Sequence, residues 1–164
     1  VLAGRVAGLI QNRQPYGYAI LIETPLDRLP EAWVRAMQLQ TPAPTVQPAP
    51  NLICPPASST EAPPAGRSLY LLYAHLNRPP EAVLGQEAAC GQRIGEVGTT
   101  GRSVNPHLHL EVRAGPAGAS FTEMAHYDNS ATENEMRNYC IWRVSGLFQP
   151  LDPLAVIQAL SLQP

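Results

Sequence analysis

Asn105-Pro106-His107-Leu108-His109-Leu110-Glu111-Val112-Arg113 is the stretch whose reading decides the fold. Spaced as a β-strand, its side chains alternate between two faces. Leu108, Leu110 and Val112 then share an apolar, core-facing side, and His107, His109, Glu111 and Arg113 share the other. Residues two apart on a strand lie roughly 7 Å from each other. At that spacing one imidazole can hold a metal while its neighbour acts on what the metal binds.

Partner strands flank this stretch. Residues 16–23 (YGYAILIE) and 68–76 (SLYLLYAHL) are rich in the aromatic and branched side chains that suit a pleated sheet. In the second of these, alternation puts Tyr73 and His75 on one face and Leu72, Ala74 and Leu76 on the other. Residues 1–10 read as a glycine-punctuated strand pair. Residues 83–86 and 90–98 read as short strands between glycine turns, 98–103 as a polar turn entering the histidine strand, and 141–148 as a returning strand. Short helices are predicted at 30–39, 132–138 and 153–160, the last capped by Asp152. Short strands, Gly and Pro turns and few helices predict a mainly-β domain, an antiparallel sheet or a β-sandwich-like arrangement.

The 164 residues suit one domain, and at 45% hydrophobic they can bury a core. Eight of the 18 prolines fall between residues 41 and 66, which predicts a disordered loop insertion. Polar, irregular residues 114–140 predict a second insertion. With a net charge of -2 and no basic block, nucleic acid is not an expected partner. All 11 cationic residues are arginine. The absence of lysine excludes a phosphate-binding P-loop, Schiff-base chemistry and a lipoyl or biotinyl carrier. Cys54, Cys90 and Cys140 have no C-x-x-C spacing, so a zinc ribbon is not supported. One disulfide with a free thiol and three free thiols are both open, and Cys54 could tether the Pro-rich loop. No apolar run is long enough to span a membrane.

Three of the four histidines, His75, His107 and His109, sit in strands. A catalytic zinc takes three protein ligands and keeps a fourth position open, and a nearby group must then move a proton and stabilise the oxyanion.

Tyr73-Ala74-His75-Leu76, residues 91–103 (GQRIGEVGTTGRS) and residues 106–113 (PHLHLEVR) together resemble, in order and spacing, the lysostaphin-like, LytM-domain zinc metallopeptidases. Ala3-Gly4-Arg5-Val6 resembles that family's strand turn, and Leu151-Asp152-Pro153-Leu154 resembles its closing segment. The likeness covers roughly residues 1–23, 67–113 and 148–160. It implies that His109 is a zinc ligand and that His75 and His107 are the catalytic pair, activating water and stabilising the tetrahedral intermediate. It further implies hydrolysis of a peptide bond in peptidoglycan cross-bridges or stem peptides, outside the cytoplasm in the periplasm, cell wall or medium.

In the family, the two other zinc ligands come from an H-x-x-x-D motif, and this sequence contains none. The expectation is a peptidase domain lacking its N-terminal portion, with the motif and any further domains upstream of Val1. With one of three ligands the zinc site is incomplete, and the isolated chain is expected to be inactive. The alternative is a non-catalytic module of the same fold that binds peptidoglycan or activates an amidase. Glu111 either orients an imidazole from behind or is an exposed strand glutamate, the commoner state. Tyr73 either lines the cleft or packs, Arg113 reads as a solvated strand end, and His126 as a surface residue.

Overall fold

The computed structural model describes residues 2–40, 52–55 and 66–161. Six antiparallel strands form one sheet in the order β4-β1-β2-β3-β5-β6. They are β1 (Gly4–Arg13), β2 (Gly17–Pro25), β3 (Arg67–Leu76), β4 (Glu87–Ala88), β5 (His109–Pro116) and β6 (Gln149–Leu151). Helices α1 (Glu31–Ala36), α2 (Glu133–Val144) and α3 (Pro153–Ser161) are added to it. The mainly-β, antiparallel expectation holds, with the strands in a single sheet.

The two predicted long strands pair as β2 and β3, with Leu21 opposite Leu72 and Ile22 opposite Leu71. The histidine strand joins β3 on its other side, with Leu72 opposite Glu111 and Ala74 opposite His109. Both sheet faces are buried. One carries Ile10, Tyr16, Leu21, Tyr70 and Leu72 against Phe121, Met124, Trp142 and Phe148. The other carries Ile20, Ile22, Leu69, Leu71, Tyr73 and Val112, packed by Met37 and Val156. Burying one such aliphatic side chain contributes about 1.5–3 kcal/mol, so the central strands are anchored from both sides.

Several local expectations are corrected. Within the expected strand pair at 1–10, residues 4–10 belong to one continuous strand, Gly4–Arg13. The short strands expected at 83–86 and 90–98 do not form: the two residues of β4 lie between these ranges, and the second contributes only single bridges at Val97 and Gly98. Residues 141–148 do not return as a strand, because α2 runs through to Val144 and inserts Trp142 fully into the core. Its N-terminus carries a reciprocal cap: Thr132 accepts from the Glu135 N–H while the Glu135 carboxylate accepts from the Thr132 N–H at 2.7 Å. Asp152 does cap α3, accepting from the Leu154 N–H at 2.9 Å. Leu108, assigned to the buried side, is 46% exposed because β5 begins one residue later.

Most of the Pro-rich 41–66 stretch lies outside the described residues. Cys54 within it is disulfide-bonded to Cys140 of α2, and Cys90 is a free, exposed thiol. His126 is not a surface residue. It is buried, accepts the Tyr127 N–H at Nδ1 and reaches the Ile53 carbonyl from Nε2 at 3.2 Å. The 52–55 segment is therefore held against the 126–140 region twice, covalently and by hydrogen bond.

Candidate active site

His75 lies near the end of β3, where two residues of β3 oppose one of β2 between the pairs Ile20–Tyr73 and Tyr18–Leu76. This is a bulge, and His75 takes a left-handed backbone conformation there, with φ 59°. Such a conformation costs a non-glycine residue about 1–2 kcal/mol. It breaks the alternation that would have put His75 beside Tyr73. Tyr73 stays on the opposite face, buried in the second core, so it packs and does not line the cleft. His75 instead meets the rings of His107 and His109, with centroids 4.9 and 5.2 Å away.

The 98–103 turn holds this bulge. Thr100 Oγ1 donates to the Leu76 carbonyl at 2.7 Å and accepts from the Tyr18 N–H at 3.0 Å. The Thr100 carbonyl lies 2.7 Å from His75 Nδ1. Gly17, at φ 68°, packs directly on Thr100, and a Cβ there would overlap its backbone. The His75 N–H donates to the Tyr16 carbonyl at 2.9 Å.

These hydrogen bonds set the tautomers. A carbonyl only accepts, so His75 Nδ1 carries the proton and its Nε2 is left open. His107 is arranged in the same way, its Nδ1 lying 2.8 Å from the Asn105 carbonyl. In His109 the roles are reversed: Nε2 lies 3.1 Å from Glu111 Oε1, so Nε2 donates and Nδ1 is left open. A ring nitrogen from each of the three histidines lies within 4.8 Å of the other two. Burial lowers the His75 pKa, and the neighbouring His109 and His107 act in the same direction against the Thr100 hydrogen bond. At neutral pH the ring is held in the form that can accept a proton.

Glu111 is not an exposed strand glutamate. Its side chain is 10% exposed and collects five donors. Oε1 accepts from Tyr16 Oη, His109 Nε2 and Arg143 at 3.0, 3.1 and 2.8 Å. Oε2 accepts from Arg113 Nε and Trp142 Nε1, both at 3.1 Å. Burial alone would raise its pKa, but the His109 hydrogen bond and the charges of Arg113 and Arg143 outweigh it and hold the value at about 2. Burial and the Glu111 charge push the Tyr16 hydroxyl well up, so it remains a donor. Arg113, read as a solvated strand end, is buried between Glu111 and the Trp142 ring.

A cleft of about 290 Å³ opens over His75, His109 and Glu111. Its walls include Tyr16, Arg102, Tyr127, Tyr139 and Arg143. None of these five was singled out from the sequence. Tyr139 and Arg143 come from α2, whose Thr-x-x-Glu cap was legible, but no local pattern shows which face of that helix meets the site.

Three imidazoles, each with one open nitrogen, are a donor set suited to a divalent metal such as zinc. In the ligand set that the sequence resemblance implies, His109 is the one ligand among these three, so the described residues fit that zinc site in part.

Residues 64–122 match the family model described as Peptidase family M23. The matched segment includes β3, the 98–103 turn and β5, and with them His75, His107, His109 and Glu111. No solved structure matches the chain.

Proposed function

We propose that this chain, whose residues 64–122 match the family model described as Peptidase family M23, is a zinc-dependent endopeptidase that hydrolyses peptide bonds of peptidoglycan. The observation that carries this reading is the cluster of three imidazoles, each offering a ring nitrogen within 4.8 Å of the other two, with His75 and His107 anchored through Nδ1 and His109 through Nε2. In the division of labour proposed here, His109 is a metal ligand and His75 and His107 act on the substrate. Bound at His109, zinc would supply Lewis-acid polarisation of the scissile carbonyl.

The chain's own residues do the rest. Glu111 fixes the His109 ring through Nε2, as buried carboxylates do for ligating histidines, so that Nδ1 is the nitrogen that would hold a metal. His75 and His107 present unprotonated Nε2 atoms, and each has its Nδ1–H anchored on a backbone carbonyl. Either ring can take a proton at Nε2 from an attacking water without losing its orientation. Once protonated, the same Nε2–H can donate to an oxyanion or to the leaving amine. Tyr16 and Tyr139 bury the side of the cleft next to Glu111 and keep that wall out of bulk water.

One further finding supports an extracytoplasmic setting: the Cys54–Cys140 disulfide is of a kind that persists in oxidising compartments. Among the described residues no helix is long and apolar enough to cross a membrane. The competing reading, a non-catalytic peptidoglycan-binding or amidase-activating module, draws on one observation: H-x-x-x-D does not occur in the 164 residues. For the peptidase reading to hold, those two ligands must come from residues outside them.

Purified peptidoglycan incubated with the full-length protein separates the two. Hydrolysis that releases new amino termini, is abolished by a chelator and is restored by zinc supports the peptidase. Binding without release of amines supports the module.

A further inference from the structure

The cleft carries more positive charge than the site itself uses. Its one carboxylate is Glu111, and the buried Arg113 is already paired with it. Arg143 also touches Glu111, but its side chain remains 40% exposed toward the cleft. Arg102, from the 98–103 turn, also lines the cleft and lies over the Tyr127 ring, 5.7 Å from the centroid. Arg102 has no carboxylate partner among the described residues. Asp128, next in sequence to Tyr127, is committed elsewhere, 3.4 Å from Arg13. One negative and two positive side chains thus line this cleft, in a chain whose net charge is -2.

The wall that bears Arg143 and Tyr127 lies outside the 64–122 family match. It is nevertheless firmly placed. The Cys54–Cys140 disulfide fixes α2 one turn before Arg143, and the contact from His126 to the Ile53 carbonyl fixes the segment beside Tyr127. Guanidinium groups bind carboxylates through paired, charge-assisted hydrogen bonds. Partial enclosure beside aromatic rings strengthens them relative to open water.

We propose that Arg102 and Arg143 form a carboxylate-binding subsite beside the histidines, so that the substrate is an acidic stem peptide and not a neutral glycine cross-bridge. This deepens the peptidase reading and rests on it. Stem peptides present carboxylates near their amide bonds; glycine bridges present none.

The test is a binding measurement on this chain, separate from turnover. A fluorescent stem peptide with free carboxylates is compared with the same peptide amidated at every carboxylate. The free form should bind about tenfold tighter at low salt, and added salt should narrow the gap. Arg102→Gln sits on an exposed turn and should remove most of that preference. Arg143→Gln should reduce it too, while the remote Arg35→Gln should leave it intact. Equal binding of the two peptides, no binding of either, or an Arg102→Gln variant with full preference would overturn the subsite. Should the carboxylate preference hold while neither peptide is ever cleaved by the full-length protein, the peptidase reading falls and the subsite stands. Should both peptides be cleaved at equal rates and bound equally, the reverse holds.

Discussion

Glu111→Gln is the sharpest perturbation of the polar centre beneath the site. The carboxylate takes three donors on Oε1 and two on Oε2. Glutamine keeps the shape but offers one acceptor oxygen and one NH2 group. Its better orientation puts the oxygen toward Tyr16, His109 and Arg143. The NH2 then faces Arg113 Nε and Trp142 Nε1, two buried donors with nowhere to turn. Arg143 is partly solvated and loses little. One charged and one neutral buried hydrogen bond are lost, and the donors are left face to face, which costs about 3–4 kcal/mol. With a urea m-value of about 2 kcal/mol/M, the midpoint should fall by roughly 1.5–2 M. The assay is urea unfolding at neutral pH, followed by Trp142 fluorescence. Nitrogen-15 shifts of the folded variant should still report the Nε2–H form of His109, because the glutamine oxygen still accepts from it. A midpoint shift below about 0.5 M would refute the view of Glu111 as a buried, five-donor centre.

Other outcomes follow from single contacts. Breaking the Cys54–Cys140 crosslink, which closes 86 residues of chain, with paired Cys→Ser changes should cost up to about 4.6 kcal/mol on the chain-entropy account, read as the fall in unfolding free energy; no measurable fall would show that the crosslink constrains nothing. Gly17→Ala combines a positive φ with overlap on Thr100 and should cost about 2–4 kcal/mol. It should also release the His75 Nδ1–H, visible as a tautomer mixture by nitrogen-15 NMR, and a fully stable variant with an unchanged His75 would contradict the Thr100 anchor. Glu135 is held at about 2 chiefly by its Arg13 hydrogen bond, below the ordinary 4.5. Because the folded value is depressed, its contribution is present above about pH 4.5 and drains away as pH falls toward 2. The stability gap between the native chain and Glu135→Gln should therefore narrow over that window, and a gap independent of pH would count against the Arg13–Glu135 pair.

The strands that carry the site were legible because their patterns are local. Alternation in 68–76 and 105–113 and the H-x-H spacing placed His75, His107 and His109 in strands; His75 and His109 do lie in the paired β3 and β5, while His107 precedes β5 and makes a single bridge to Gly98. What alternation could not show is the bulge at His75, a non-local feature set by Thr100 and Tyr16. That single irregularity turned His75 away from the face that Tyr73 shares with the second core. Glu111 and Arg113 have the composition of exposed strand residues and are buried only because α2 folds Trp142 and Arg143 over them. The start of α2 was readable, but its extension past residue 138 depends on Cys140 and Trp142 finding partners far away in sequence. His126 was misjudged for the same reason, since its partner is the carbonyl of Ile53.

The central claim is a division of labour among three adjacent histidines, and zinc content measured beside hydrolysis on the same full-length protein preparations tests it most directly. The account predicts that His109→Ala loses both bound zinc and peptidoglycan hydrolysis. His75→Ala and His107→Ala should keep most of the zinc and lose hydrolysis by a factor on the order of a hundred or more. Zinc retained in full by His109→Ala, or hydrolysis undiminished in His75→Ala, would contradict it.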